Sequence, residues 1–388
     1  MTELSNANNS IPYIIIVSFL IFMFIIEQRS RTEKQKKQVQ IYSLFILLLF
    51  LGLRGHLYSD YTEYYPFYQD ISDILDFKFR DNKYETFEPG FLIYTSILKT
   101  IMPNYFVWVF FNCFIDLLFL LFFFRKYSNS VILSFIIFIA FQGLIFEFNL
   151  YRNIKSLILF LVSIKYLRER KSIKYFALNT LGLTFHSSSI LFIPCYFFLH
   201  KNFSRKIMWT MFVIVNIMFI TQQYPTEFVF ERVASILNVD MISSKILKRL
   251  DSVEEGVFSV GYFERSLTFI FFISNYSKLC KDNGANQIFC NCFFLYYILF
   301  YMFADVKIFV ERIPTLFIFS YWVLYPNLIK IFKPTAKMLT IVYVLILCLL
   351  KTFMANKVFT AQYDNLLWGI RSYEERSREF YSNRDDVI

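Results

Sequence analysis

Four arginines and one histidine stand where apolar runs meet polar segments. Arg54 follows the run 41–53, and Arg152 opens the run 150–166 with Asn149 and Asn153 beside it. Arg265 follows Glu264, Arg312 follows Glu311, and His186 ends another run in His186-Ser187-Ser188-Ser189. A guanidinium offers a planar fork of donors that matches phosphate oxygens. Fixed cations also stabilise the charge that grows on a departing diphosphate. A neutral imidazole can accept a proton from a sugar hydroxyl. Two carboxylates, Asp60 in Asp60-Tyr61 and Glu88 in Glu88-Pro89-Gly90-Phe91, lie in a segment dense in Tyr and Phe. Ring faces against C–H faces, with acids on hydroxyls, is a sugar-binding chemistry. Each residue also has a plainer reading. A lone Arg snorkels to headgroups, a lone interfacial His is simply hydrogen-bonded, and Tyr and Phe form an interfacial belt. The set argues against the plain reading, because snorkelling needs no His or Asn alongside and a belt needs no Asp60 or Glu88.

The elements that must carry these residues are helices in a membrane. Hydrophobic residues are 56% of the 388-residue chain, Phe alone numbers 51, and charged residues are only 18%, below the roughly 25% that covers a soluble surface. Twelve apolar runs follow one another: 11–26, 41–53, 105–124, 131–148, 150–166, 173–185, 190–199, 207–221, 266–277, 288–304, 313–329 and 338–350. A helix crosses the hydrocarbon core in about 20 residues, so the three runs near 12 residues need polar flanks or a cavity to span. The runs are too long and continuous for barrel strands, and only helices or closed barrels satisfy the backbone there. The fold class is therefore all-α, a polytopic integral membrane protein with about twelve transmembrane helices. Short interfacial helices are expected in two extracytoplasmic loops, 54–103 and 222–262, the second through an amphipathic stretch 229–250. Residues 1–355 form one transmembrane domain, and 356–388 a polar tail outside.

The net charge of +10 is not a nucleic-acid footprint, because the basic residues sit at the ends of apolar runs. Arg29 to Lys37, Arg125-Lys126, Arg168 to Lys171, Lys201 to Lys206, Lys278 with Lys281, and Lys330 with Lys333 all fall on one side. The acids of the long segments fall on the other. By the positive-inside rule the N-terminus and the candidate residues face outward. The first run lacks a basic flank before it and a small-residue cleavage site, and reads as a retained helix. Asn112 and Asp116 share a helix face at i,i+4 near mid-bilayer, where Asp116 is hydrogen-bonded, protonated or part of a proton relay. The six cysteines, Cys290-x-Cys292 included, read as small buried hydrophobes. No phosphate loop, dinucleotide fingerprint or metal spacing occurs, so no cofactor and no metal is expected. Asp385-Asp386 reads as solvated charge.

The order Arg54-Gly55, Asp60-Tyr61 with Tyr64, Glu88-Pro89-Gly90-Phe91, Asn149 with Arg152-Asn153, His186-Ser187-Ser188 and the late Arg312 resembles the EpsG-like Wzy polymerases of bacterial exopolysaccharide, capsule and O-antigen loci. The resemblance covers nearly the whole chain. Two positions depart from it: Asn153 stands where members often carry Gln, and Ser59 where a Gly commonly precedes Asp-Tyr. The resemblance implies a glycosyltransferase-type polymerase in the bacterial cytoplasmic membrane, active on its outer face. Its substrate would be oligosaccharide repeat units on undecaprenyl diphosphate, and a chain-length regulator and a flippase would be its partners. It assigns Arg152 and Arg312, with Arg54 and Arg265, to the diphosphate. His186 or Asp60 would activate the acceptor hydroxyl, Glu88 would hold a sugar or order the loop, and Asn149 would contact substrate. Three alternatives separate from it by simple features. A lipid-linked oligosaccharide flippase would carry charge inside the bundle. A glycan acyltransferase would need its histidine on the cytoplasmic side, and a scaffold would give no reason for the polar ring.

Overall fold

The computed structural model describes residues 5–79, 87–226, 228, 232 and 259–383, with only the backbone described at 307 and 308. Asp81, Glu85, the stretch 229–250 apart from Arg232, and Asp385-Asp386 lie outside the described residues. Among those described, every element is helical, and four helices are long and apolar enough to cross a membrane: Ala7–Arg29, Tyr105–Tyr127, Val131–Phe148 and Pro334–Asn356. The chain divides into two compact units, Met1–Tyr196 with Phe332–Ile388, and Phe197–Ile331. The tail after residue 356 thus belongs to the first unit.

In the first unit α1 (Ile11–Arg29), α2 (Glu33–Gly52), α3 (Tyr61–Asp70), α4 (Pro89–Ile101), α5 (Tyr105–Tyr127), α6 (Val131–Phe138), α7 (Leu144–Phe148), α8 (Tyr151–Arg168) and α9 (Ser172–Leu183) follow in order, and α10 (Cys195–Phe198) begins at its last residues. Helix α2 begins inside the basic cluster, eight residues before its apolar run. Thr32 accepts from the Gln35 amide at 3.2 Å and the Gln35 side chain returns to Thr32 N at 3.2 Å, a reciprocal cap that starts a helix before hydrophobicity demands one. The run 131–148 is broken in the middle, where Gln142 takes φ 71°, so α6 and α7 are the halves of a kinked helix. Helix α1 packs on α2, α6 and α17 (Pro334–Asn356), and α5 lies between α2 and α8. At the end where the basic clusters lie, buried Glu27 accepts from Gln40 at 2.9 Å and Ser130 at 2.7 Å, while Arg125 donates to Gln40 at 2.9 Å.

The short runs 173–185 and 190–199 form α9 and a 3-10 turn (Ser187–Phe192) leading to α10. They pack back on α8: Phe192 stacks on Phe160 at 4.0 Å, and Tyr175 donates to the Phe192 carbonyl at 2.5 Å. In the first polar loop α3 and α4 sit on the start of α5 through Phe67, Tyr68, Phe91 and Trp108, all at most 1% exposed. These rings pack on one another, so most of the loop's aromatics form a core of their own. Burying such a ring contributes about 1.5–3 kcal/mol.

The second unit contains α11 (Arg205–Thr221), α12 (Val260–Ser274), α13 (Tyr276–Asp282), α14 (Asn286–Met302), α15 (Lys307–Arg312) and α16 (Phe319–Ile331). Its core is also aromatic. Phe212 stacks with Phe269 at 4.6 Å and with Tyr297 at 5.5 Å. Asn216 ties three elements together by bonding the hydroxyls of Tyr297 and Tyr262 at 2.9 and 2.8 Å. All six cysteines are free thiols, and Cys290 and Cys292 are buried.

Candidate functional site

The site is best built from Glu88. Pro89 opens α4 and fixes its first turn, leaving Glu88 at the N-cap position, where its side chain makes no cap bond to its own helix. The carboxylate reaches across to other elements. Oε2 pairs with Arg152 Nη1 at 2.7 Å, and Oε1 accepts the Ser187 amide at 2.8 Å. Both side chains of the pair keep some contact with solvent, at 18% for Arg152 and 16% for Glu88. Gly90 lets this happen. Its amide donates to the Thr184 carbonyl at 2.7 Å, and a Cβ there would lie 2.1 Å from Thr184 Oγ1. The start of α4 is thus pressed against the end of α9 and the residues that follow, from Thr184 to Ser187.

Arg152 is further held by the Phe87 ring, 4.4 Å beneath its guanidinium, and interacts electrostatically with the Tyr64 hydroxyl. Tyr64 lies one turn beyond Asp60 on α3. The Asp60 turn is fixed from the other side. Asn149 Oδ1 accepts the Ser59 and Asp60 amides, each at 3.3 Å, and its Nδ2 donates to Ser59 Oγ at 3.1 Å. Ser59 in turn donates to the Asp60 carboxylate at 2.8 Å. Asn149 therefore positions Asp60, through a residue type that a glycine at 59 would not supply. His186 stands beside Ser187, and its Nδ1 accepts the Ser188 amide at 3.1 Å. Asp60, Asn149, Glu88, Arg152 and His186 are brought into one connected set within the first unit.

Arg54 is placed differently. Its guanidinium is 2% exposed. It donates to the carbonyls of Leu51 and Glu147, to Cys113 Sγ and to the Tyr151 hydroxyl, and lies 4.6 Å over the Phe148 ring. These four bonds, two from each terminal nitrogen, hold α2, α5, α7 and α8 together. Gly55 next to it admits the tail, since a Cβ there would lie 2.0 Å from Asp364 Oδ1. The tail bonds along this whole loop. Leu366 N donates to Leu53 O at 2.8 Å, Gly55 N to Asp364 O at 3.1 Å, and Tyr58 N to Thr360 O at 2.9 Å. Arg376, from α18 (Tyr373–Ser382), donates to the His56 carbonyl at 2.9 Å. His56 is enclosed by Tyr61, Tyr65, Tyr105, Phe106 and Tyr373, with ring centroids 5.1–5.7 Å away. Burial pushes its imidazole down to about 4, and burial pushes the Tyr61 hydroxyl up to about 12.

One turn along α8 from Arg152 lies a second ion pair. Lys155 Nζ meets Asp116 Oδ2 at 2.6 Å, with side-chain exposures of 8% and 1%. Asn112 shares that face and accepts from Tyr94 at 2.9 Å. Glu147 is buried nearby on the same network, with Oε1 lacking a hydrogen-bond partner. Sequence reasoning found Asp116 but not its partner. The available signal was Lys155 itself, a cation inside an apolar run three residues after Arg152.

In the second unit Arg265 lies 3.7 Å over the Phe300 ring and donates to Tyr301 at 3.2 Å. Glu264 beside it is buried and accepts from Thr268 at 3.1 Å. Arg312, at the end of α15, is exposed.

The helices and this polar set define an all-helical membrane protein with a partly exposed carboxylate–guanidinium pair held at the meeting of α4, α8 and the end of α9. The EpsG family model matches residues 39–368. The chain belongs to the EpsG family, which places it among polysaccharide-polymerase-type membrane proteins. Neither the curated proteins nor the solved structures compared with the chain include a match.

Proposed function

We propose that this protein joins lipid-diphosphate-linked oligosaccharide repeat units into surface polysaccharide on the outer face of the bacterial cytoplasmic membrane, crossing it about twelve times. The observation that carries the reading is the Arg152–Glu88 pair, partly exposed and held from three elements in a member of the EpsG family. The carrier is undecaprenyl diphosphate. In the reaction the bond between the anomeric carbon and the diphosphate oxygen breaks, and its electron pair stays on the diphosphate. The acceptor oxygen forms the new bond to that carbon, and its proton passes to a base. Asp60 is the base, oriented by Ser59 and Asn149. Arg152 takes the diphosphate, for which its fork geometry and fixed position suit it. Glu88 orders Arg152 and the Ser187 turn. Arg265 and Arg312 are phosphate contacts of the second unit, and Arg54 acts by holding the helices that present the others. A chain-length regulator and a flippase are the proposed partners.

A second reading, a lipid-linked oligosaccharide flippase, is favoured by the buried Asp116–Lys155 pair, which is charge inside the bundle. A strain lacking the protein separates the two. The polymerase reading expects single repeat units on lipid at the outer face, and the flippase reading expects them at the cytoplasmic face. Arg152→Ala, at normal abundance, is expected to give the same single-unit product as the deletion. Normal polymer length from that variant would sink the diphosphate assignment.

A further inference from the structure

Helices α5 and α8 leave a groove of about 240 Å³ between them. Buried Leu120 and Leu161 form its floor, and exposed Phe119, Phe122 and Val162 form its walls. From Phe119 to Tyr127 the groove follows α5 for about 12 Å, against a depth of roughly 15 Å for one hydrocarbon leaflet. Its far end is polar. Lys126, Tyr127, Lys165 and Tyr166 stand there, in the last turns of the two helices. Both lysines are exposed. Arg125 instead turns to Gln40 within the bundle. The neighbouring carboxylate, Glu169, pairs with Lys171 at 2.7 Å and lies 4.0 Å from Lys165, so it leaves the groove's end positive. Arg168 adds to the positive field around the Tyr127 hydroxyl. The last turn of any helix favours cations, but that preference asks for no groove beside them.

We propose that this groove holds one anionic glycerophospholipid, with an acyl chain between its walls and the phosphate on Lys126 and Lys165. The length suits a chain that enters from the boundary and stays within one leaflet. The charge selects the headgroup, because a choline lipid would bring its own cation against two ammoniums. Basic pockets between spanning helices on the cytoplasmic side are places where anionic headgroups bind, and the positive-inside rule puts the basic clusters on that side. The chain touches both helices that carry the Asp116–Lys155 pair, so the bound lipid braces their packing from outside. The lysines lie about 20 Å along α8 from Arg152, and the site does not depend on which reaction the protein catalyses.

The full-length protein, purified in a neutral detergent, would be titrated with phosphatidylglycerol and with phosphatidylcholine of the same chains, and bound lipid counted by native mass spectrometry. One phosphatidylglycerol is expected to bind about thirty-fold more tightly than phosphatidylcholine, the usual worth of two lysines near an anionic headgroup. The double variant Lys126→Gln with Lys165→Gln should lose that preference. Val162→Trp fills the groove without changing a charge, and should weaken both lipids. The control is Lys34→Gln with Lys37→Gln, two exposed lysines on α2 outside the groove, which should keep the preference. An equal loss from the control, or a groove variant that keeps the preference, would overturn the site in favour of diffuse surface charge. Unchanged binding to Val162→Trp, or glycerol 3-phosphate competing as well as the whole lipid, would remove the acyl chain from the groove. A polyprenyl phosphate that binds there more tightly than phosphatidylglycerol would overturn the phospholipid as occupant.

Discussion

Two ion pairs lie one helical turn apart on α8, and they are alike in length but not in surroundings. Arg152–Glu88 is 2.7 Å long with both partners reaching solvent, and Glu88 also serves a backbone amide. Lys155–Asp116 is 2.6 Å long, and Asp116 is 1% exposed. A pair at a wet boundary gains little from its own Coulomb energy, so a ligand anion can compete for its cation. A pair in the dry interior is costly to open, because each charge left behind keeps its desolvation penalty. The helix thus carries an exchangeable cation one turn from a locked one, and the proposed chemistry draws on the exchangeable one.

The comparison breaks first if the deeper pair proves dispensable. Lys155→Ala is expected to cost about 3–5 kcal/mol, since Asp116 is then buried without a partner. Thermal or denaturant unfolding of the purified protein measures it. The double variant Asp116→Leu with Lys155→Met should recover most of that stability, whereas Arg152→Ala should lose only about 1–2 kcal/mol and still abolish polymer. Equal destabilisation by Lys155→Ala and Arg152→Ala would remove the distinction.

A second test concerns the loop that carries Asp60. His56 is held neutral inside its aromatic enclosure, with its pKa depressed to about 4 from an unfolded value near 6.5. The unfolded chain then binds the extra proton first. Stability is full above about pH 6.5 and falls as the pH drops toward 4, by about 2–3 kcal/mol. His56→Phe should flatten this slope without changing the behaviour of the α8 pairs, and unfolding measured across that range reports it.

Smaller effects sharpen the role of the exchangeable pair. Gly90→Ala should cost about 1–3 kcal/mol, because Thr184 must give way, and polymer formation should fall with it as the Glu88–Ser187 contact loosens. Glu88→Gln keeps the shape but weakens the bonds to Arg152 and the Ser187 amide, for a loss of about 1 kcal/mol. If Glu88→Gln proves more damaging to activity than Arg152→Ala, the carboxylate and not the guanidinium is the group that meets substrate.

Some of this was legible in the residues. Pro89 is the residue type that opens a helix, and that puts Glu88 at the N-cap of α4. The direction of its carboxylate was not legible, because Arg152 and Ser187 are 64 and 99 residues away and no local pattern encodes that meeting. Asp116 stood out as a polar residue in an apolar run, whereas Lys155 is masked by Arg152, only three residues before it. Arg54 looked like its fellow arginines because a run-end position is the same for a snorkelling, a ligand-binding and a clamping guanidinium. Only the packing of α5, α7 and α8 around it tells them apart. The tail was the largest surprise. Its composition is polar, and apart from the Arg376 guanidinium on the His56 carbonyl the bonds described from 360–376 to 53–58 are made by backbone groups that sequence does not display.

Those bonds also set a timetable for synthesis. Tyr363 donates to the Phe50 carbonyl, 313 residues earlier in the chain, and the Gly55 and Tyr58 amides wait for Asp364 and Thr360. The segment leading to Asp60 is among the first parts of the protein to leave the ribosome, yet its partners are among the last. A nascent chain therefore carries an unfinished loop through almost all of translation, and a chain stopped short of residue 360 would sit in the membrane without the segment before Asp60 clamped.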